Sequence, residues 1–305
     1  MIHWKRKDFR QPPKKLDTQG CYKQIEKAVK QKDGGKYTNS YYRCDGVLDA
    51  LRAYSICKRS FDPNKDQPKC YYCESTGEQG AALQVEHYRP KAKVIDDNSP
   101  SEDGYYWLGN EWSNLLLACS KCNDRSAKGN KFPILGARVM DHDPIRTTSS
   151  GKFEYDRSDC LINSQMLSAE QPLLLNPEID SIIGRFSFGK DGQIYGHDDR
   201  AKETIKICNL NRKPLVVARK KIYDELKEKV KMIVISHIER PNIYPLATLK
   251  DMLSGTCKEI HNAMIAEKPY SLYAHYFNSH YQEFFLTELP MSFRKVFREC
   301  FASMK

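Results

Sequence analysis

The chain has 305 residues, an ordinary hydrophobic share of 40%, and a formal net charge of +10; it is long enough to bury real cores, and no run approaches the ~18 uninterrupted apolar residues of a membrane span. Its start lacks the apolar segment of a secretory signal, and eleven cysteines, an odd number in a large unsignalled chain, point to a reduced, cytoplasmic setting rather than a disulfide scaffold.

The charge is uneven. Residues 1–66 carry 16 Lys and Arg against 8 Asp and Glu, residues 67–145 carry 9 against 11, and the remainder 24 against 20. A basic N-terminal surplus suits a polyanion, because each cation set against a phosphate releases a condensed counterion; a solvated surface is the plainer alternative. Within the first 20 residues, Lys5, Arg6, Lys7, Arg10, Lys14 and Lys15 surround Pro12-Pro13, which reads as an irregular arm. Val47, Leu48, Leu51 and Tyr54 then recur at helical spacing behind Asp45, predicting a helix over about 46–58 with Asp45 as N-cap.

Cys70-Tyr-Tyr-Cys73 and Cys119-Ser-Lys-Cys122 are two Cys-x2-Cys pairs, the spacing of knuckles that each give two thiolates to one tetrahedral zinc. A closed four-thiolate site leaves no position for water or substrate, so such a Zn²⁺ is structural. Between and after the pairs lie Val85-Glu86-His87-Tyr88-Arg89-Pro90-Lys91, Glu111-Trp112-Ser113-Asn114 and Asn123, followed by Lys128-Gly129-Asn130-Lys131.

This combination resembles the HNH (ββα-metal) endonuclease family, with an acidic-His pair ending one strand, an Asn in a turn before a helix, and a His or Asn directly after a Cys-x2-Cys. The strings at 85–91, Gly104-Tyr-Tyr-Trp-Leu108, 111–117 and Lys128-Gly-Asn-Lys-Phe-Pro133 are similar to the PtuB-type HNH proteins of Septu and retron anti-phage systems, as are Leu174-Leu-Asn-Pro177 and Thr204–Arg212 downstream. The resemblance implies an α+β fold: a central ββα-metal core at 67–145 with the four-cysteine zinc site, an N-terminal basic arm and helices at 1–66, and a β-hairpin followed by a mainly helical domain at 146–305. It implies that His87 is the general base, that Glu86 and Asn123 offer oxygen ligands to a catalytic Mg²⁺ or Mn²⁺, and that Asn114 orients the base loop. Glu86 stands where Asp is commoner in the family, and Asn123 where His is common.

Hydrolysing a phosphodiester needs an activated water, a clamp on the developing phosphorane and help for the leaving oxygen, which one imidazole and one hard cation can supply. Oxygen donors favour Mg²⁺ or Mn²⁺, sulfur donors zinc. Arg89, Lys91 and Lys128 are candidate phosphate clamps, and Lys93 and Lys131 lie nearby. His142, beside Asp141 and Asp143, is a weaker metal candidate. His3, His197, His237, His261, His275 and His280 lack companions at ligand spacing, and Cys21, Cys44, Cys57, Cys160, Cys208, Cys257 and Cys300 read as small buried residues.

Residues 96–104 and 141–151 have loop composition, the second marking a domain edge. Arg185–Tyr195 alternates around Lys190-Asp191-Gly192, a hairpin signal. Helices are expected from Ala201 onward: Pro214 to about Arg240, then about 246–266, 270–287 and 291–303, with an aromatic stripe from Tyr270 to Phe285 as core. The function these readings imply is DNA hydrolysis in bacterial anti-phage defence beside a PtuA-like partner ATPase, since the chain holds no phosphate-cradling Gly-Lys-Ser/Thr loop of its own. The alternatives are an RNA- or tRNA-cleaving HNH nuclease and a zinc-stabilised nucleic-acid-binding module without catalysis.

Overall fold

A computed structural model describes residues 6–38, 40–57, 67–76, 82–96 and 98–304; His3, Lys5, Asp97 and the side chain of Cys57 lie outside the described set. The protein is mixed α and β, with small antiparallel sheets, and its backbone divides into two compact units. The first runs to Phe186 and resumes over Gly196–Leu210; the second comprises Ser187–Tyr195 and the chain from Asn211 onward.

In the first unit, helix α1 (Gln19–Gln31) opens with Thr18 accepting from the Cys21 amide and buries Cys21, Ile25 and Ala28, spaced three and four residues apart. Helix α2 (Asp45–Tyr54) buries Val47 and Leu51. Its N-cap is Cys44, with Asp45 already inside the first turn, so the expected cap lies one residue earlier and the helix ends sooner. The short strands β1 (Ile56–Cys57) and β2 (Gln67–Pro68) pair antiparallel and lead into the first cysteine pair.

Strands β3 (Leu83–His87) and β4 (Leu115–Cys119) form an antiparallel ladder that sets Glu86 opposite Leu116 and His87 opposite Leu115. Every residue of β4 is buried, which accounts for its unbroken Leu-Leu-Leu-Ala run. Directly after it, one helical turn, α3 (Ser120–Asn123), carries Cys122 and Asn123. Two strands and a short helix thus follow one another in space. Residues 141–151, expected as a domain edge, lie inside this unit, where β5 (Ile145–Thr147) pairs β6 (Phe153–Tyr155) and Gln19 bonds both backbone groups of Phe153. A short helix, α4 (Gln165–Ser168), follows.

The two downstream segments singled out by resemblance join each other: Thr204 Oγ1 accepts from the Leu175 amide at 2.9 Å, and Tyr88 donates to Leu174 O at 2.5 Å. Thr204 lies on α5 (Asp199–Ile207), capped by Asp198. Around 185–195, the hairpin forms as β7 (Phe186–Phe188) and β8 (Ile194–Gly196), turning at Gly192, whose φ of 85° suits glycine.

The second unit is helical: α6 (Lys213–Glu239) with Pro214 in its first turn, α7 (Leu246–Asn262), α8 (Ser271–Ser279), α9 (Tyr281–Phe284) and α10 (Met291–Ala302). Tyr223, Tyr273, Phe277, Phe284 and Phe285 are buried against one another, so the aromatic stripe is core, as its spacing suggested.

Candidate active site

The first cysteine pair follows β2 and the second opens on the last residue of β4. A tetrahedral ion with Zn–S bonds of ~2.3 Å places its sulfurs about 3.8 Å apart. The Sγ atoms of Cys70, Cys73, Cys119 and Cys122 all lie within 4.8 Å of one another in the buried interior, and Cys73 and Cys119 are 3.7 Å apart. Four thiols so placed can hold one structural zinc, which would keep Cys70 as a thiolate against the burial that otherwise favours its thiol. The first knuckle turns through Glu74 at φ 60°, and the Tyr71 amide donates to Leu117 O of β4 at 2.9 Å. The second begins as β4 ends.

At the free end of β3, Glu86 and His87 line a cleft of about 520 Å³ together with Asn123 and Lys91. The sequence-predicted acidic residue, histidine and post-cysteine asparagine therefore meet, although 36 positions separate His87 from Asn123. His87 is 9% exposed. One ring nitrogen, Nε2, lies 2.8 Å from Gly109 O, and because a carbonyl only accepts, that nitrogen carries the hydrogen and Nδ1 is the free base. The Tyr42 ring packs edge-on at 4.9 Å. Burial lowers the imidazole to about 3, against the pull of the Gly109 carbonyl, and Lys91, Lys128 and Arg43 push the same way as burial; the ring is neutral at neutral pH.

Asn114 lies outside the cleft, fully buried behind it. Its Oδ1 accepts from the Arg89 amide at 2.8 Å, and its Nδ2 donates to Arg89 O at 3.0 Å and Leu108 O at 3.2 Å. Its own carbonyl accepts from the Tyr88 amide at 2.9 Å. One residue, through its side chain at Arg89 and its main chain at Tyr88, thus fastens the two residues that follow His87 to the segment that supplies Gly109. Gly104 tightens the same loop: at φ 64°, a Cβ there would meet Ala92 O at 1.9 Å.

Two of the expected phosphate clamps are corrected by their surroundings. Arg89 is 1% exposed, pairs with Glu170 at 2.9 Å and donates to Leu167 O at 2.6 Å; its fork is spent on the interior. Lys128 is wholly buried, donates to His87 O at 2.8 Å and forms an ion pair with the Glu86 carboxylate. Burial raises the Glu86 carboxyl above its ordinary range and Lys128 opposes that. Lys128 is therefore an internal counter-ion, not a phosphate contact. Lys91 stays at the cleft, half-buried, giving one hydrogen to Gly34 O at 2.6 Å. Lys93 pairs with Glu102 and Lys131 bonds Ser126 O, both outside the lining.

Nor is the N-terminal segment a free arm throughout: Lys7 is 4% exposed and its ammonium sits 3.0 Å from Glu178 and 3.0 Å from Trp112 O. His142 packs against Trp107 at 6.1 Å, away from the cleft. Sequence reading missed two exposed arginines of the lining, Arg43 and Arg125. Arg125 was within reach of it, two residues beyond Asn123; Arg43 carried no local signal.

No family model matches the chain, and no solved structure does. Among curated proteins, it is 32% identical over 165 residues to Septu protein PtuB of Bacillus mycoides (strain KBAB4), across 53% of this chain and 49% of that protein. It is also 29% identical over 159 residues to Septu protein PtuA of the same strain, across 52% of this chain and 19% of that protein. The chain thus matches about half the length of the first relative and a fifth of the second. Among the described residues, no helix is long and apolar enough to cross a membrane.

Proposed function

We propose that this protein is a metal-dependent HNH-type endonuclease that hydrolyses phosphodiester bonds in DNA, acting in a Septu-type anti-phage system with an ATPase partner of the PtuA kind. The observation that carries the activity is the meeting of Glu86, His87 and Asn123 in one cleft, on two strands and a helical turn tied to a four-thiol cluster. The likeness to PtuB and PtuA supports the defence role and the pairing.

The oxygen donors suit a hard cation: Glu86, a carboxylate already paired with the Lys128 ammonium, and Asn123, a carboxamide, line the same cleft. A Mg²⁺ or Mn²⁺ held there would polarise the phosphate and assist the leaving oxygen. His87 Nδ1 accepts the proton of the attacking water. A ring whose basicity burial has lowered is a weak base in the empty cleft; the negative charge of a phosphodiester beside Arg43 and Lys91 offsets the smaller part of that lowering, the part that comes from neighbouring cations. The Gly109 carbonyl fixes the tautomer, Asn114 fixes the loop, and Lys128 balances Glu86 while bonding the His87 main chain.

The test is cleavage of plasmid, single-stranded DNA and total RNA with Mg²⁺ or Mn²⁺ by wild type and His87→Ala, with zinc measured on both. DNA cutting that disappears in the variant at unchanged zinc content is expected. Wild-type rates in His87→Ala would refute the mechanism, cleavage of RNA alone would transfer it to RNA, and no cleavage by wild type would leave a zinc-stabilised binding module.

A further inference from the structure

The cleft beside His87 gathers cations from three separate stretches of chain: Arg43 from just before α2, Lys91 from the loop after β3, and Arg125 from the loop after α3. Arg43 and Arg125 are exposed, and among the described residues neither forms an ion pair with a carboxylate. Among the described residues the lining holds one acid, Glu86, which is buried and already neutralised by Lys128. Like charges brought together repel; Asp33 near Lys91 and Asp124 near Arg125 offset this in part from outside the lining, and an anion in the cleft relieves it directly. Among the described residues the cleft has no exposed aromatic face on which a base could stack, since Tyr42 is 4% exposed and packed at an angle against His87.

We propose that Arg43, Lys91 and Arg125 form a phosphate-binding site that grips the DNA backbone before any divalent cation enters, so that nucleic acid binds first and the cation follows it. The proposal deepens the nuclease reading and rests on it for the identity of the anion. Electrostatics sets the order. A free divalent ion approaching Glu86 meets Lys128 against the carboxylate, with Arg43 and Lys91 close by, whereas the same ion arriving after a phosphodiester finds those charges offset and gains phosphate oxygens as ligands. Contacts of this kind read the backbone and not the bases, so binding is independent of sequence.

The experiment measures binding of a short fluorescein-labelled DNA duplex by anisotropy, as a function of salt, in buffer freed of magnesium and manganese by chelating resin. Wild type is expected to bind without either ion. Arg43→Ala and Arg125→Ala should each flatten the plot of log affinity against log salt by about 1, and the double variant by about 2. Both side chains are exposed, so folding is not at stake, and Lys93→Ala, outside the cleft and paired with Glu102, should leave the slope unchanged. Wild-type slopes in both arginine variants, or a wild type that binds only once Mg²⁺ or Mn²⁺ is added, would overturn the proposal. The same proteins assayed for cleavage keep the two claims apart: the predicted slopes without hydrolysis would sink the nuclease reading and leave the anion site standing. Cleavage abolished by His87→Ala, with arginine variants that bind normally, would do the reverse.

Discussion

Lys7→Met separates a structural from a nucleic-acid role for the basic N-terminal residues. The Lys7 and Glu178 side chains are both fully buried, 3.0 Å apart, and the ammonium also donates to Trp112 O at 3.0 Å and to Leu115 O, the first residue of β4. It lies 4.4 Å from the Trp112 ring centre. Methionine replaces the stem and keeps a sulfur contact to the ring, so little packing is lost. What remains is a buried carboxylate without its paired ammonium, with Arg6 acting on it more weakly, a change that costs about 3–5 kcal/mol, with roughly 1 kcal/mol more for each carbonyl left without its donor.

The pH dependence follows from Glu178. Burial raises its carboxyl above the ordinary 4.5 even with Lys7 opposing, and removing Lys7 raises it further. A group that binds its proton more tightly folded than unfolded gains stability as pH falls through the folded value, and the gain is complete below 4.5. The Lys7→Met defect should therefore be largest near pH 8 and shrink on acidification, and Lys7→Met/Glu178→Gln should recover most of it. Urea unfolding followed by tryptophan fluorescence reads the correct unit, because Trp107 and Trp112 both lie in it. A variant within about 1 kcal/mol of wild type that instead binds DNA with a shallower salt slope would restore the arm reading and refute this one.

Cys119→Ser should remove one of four thiolates and with it the zinc, measured as loss of about one metal equivalent per chain and collapse of the β3–β4 unit on chelation; full zinc and normal stability would exclude the four-thiolate site. Asn114→Ala removes three buried hydrogen bonds and should lower stability by about 2–4 kcal/mol, with cleavage falling more than DNA affinity because the loop after His87 is released. Arg89→Met should cost about 3–5 kcal/mol by stranding Glu170 and leave the salt slope of DNA binding untouched; a shallower slope at unchanged stability would return Arg89 to the phosphate clamps.

These cases show which parts of the site were legible in one dimension. The cysteines were, because two thiolates of one knuckle must be close in sequence to reach the same ion. Glu86 and His87 were, being adjacent, and Asn123 was, because it follows Cys122 directly. Helix α1 was legible but overlooked: Thr18 with Cys21, Ile25 and Ala28 carries a cap and a helical stripe, masked by the lysine-rich composition around it. Of the cations, Lys91 was legible beside the motif and lines the cleft, but most were not. Whether a lysine or arginine faces solvent or the interior depends on where its acid lies, and the acids here come from afar: Glu170 for Arg89, Glu178 for Lys7, Glu86 for Lys128. Each pair looked like free positive charge beside the motif. Three of the basic residues counted toward nucleic-acid binding are in fact neutralised within the core, and the charge that reaches the cleft comes from Arg43, Lys91 and Arg125. Among the described residues of the basic N-terminal stretch, Arg43 lines the cleft while Lys7 is paired inside with Glu178; charge counted by segment cannot tell one from the other.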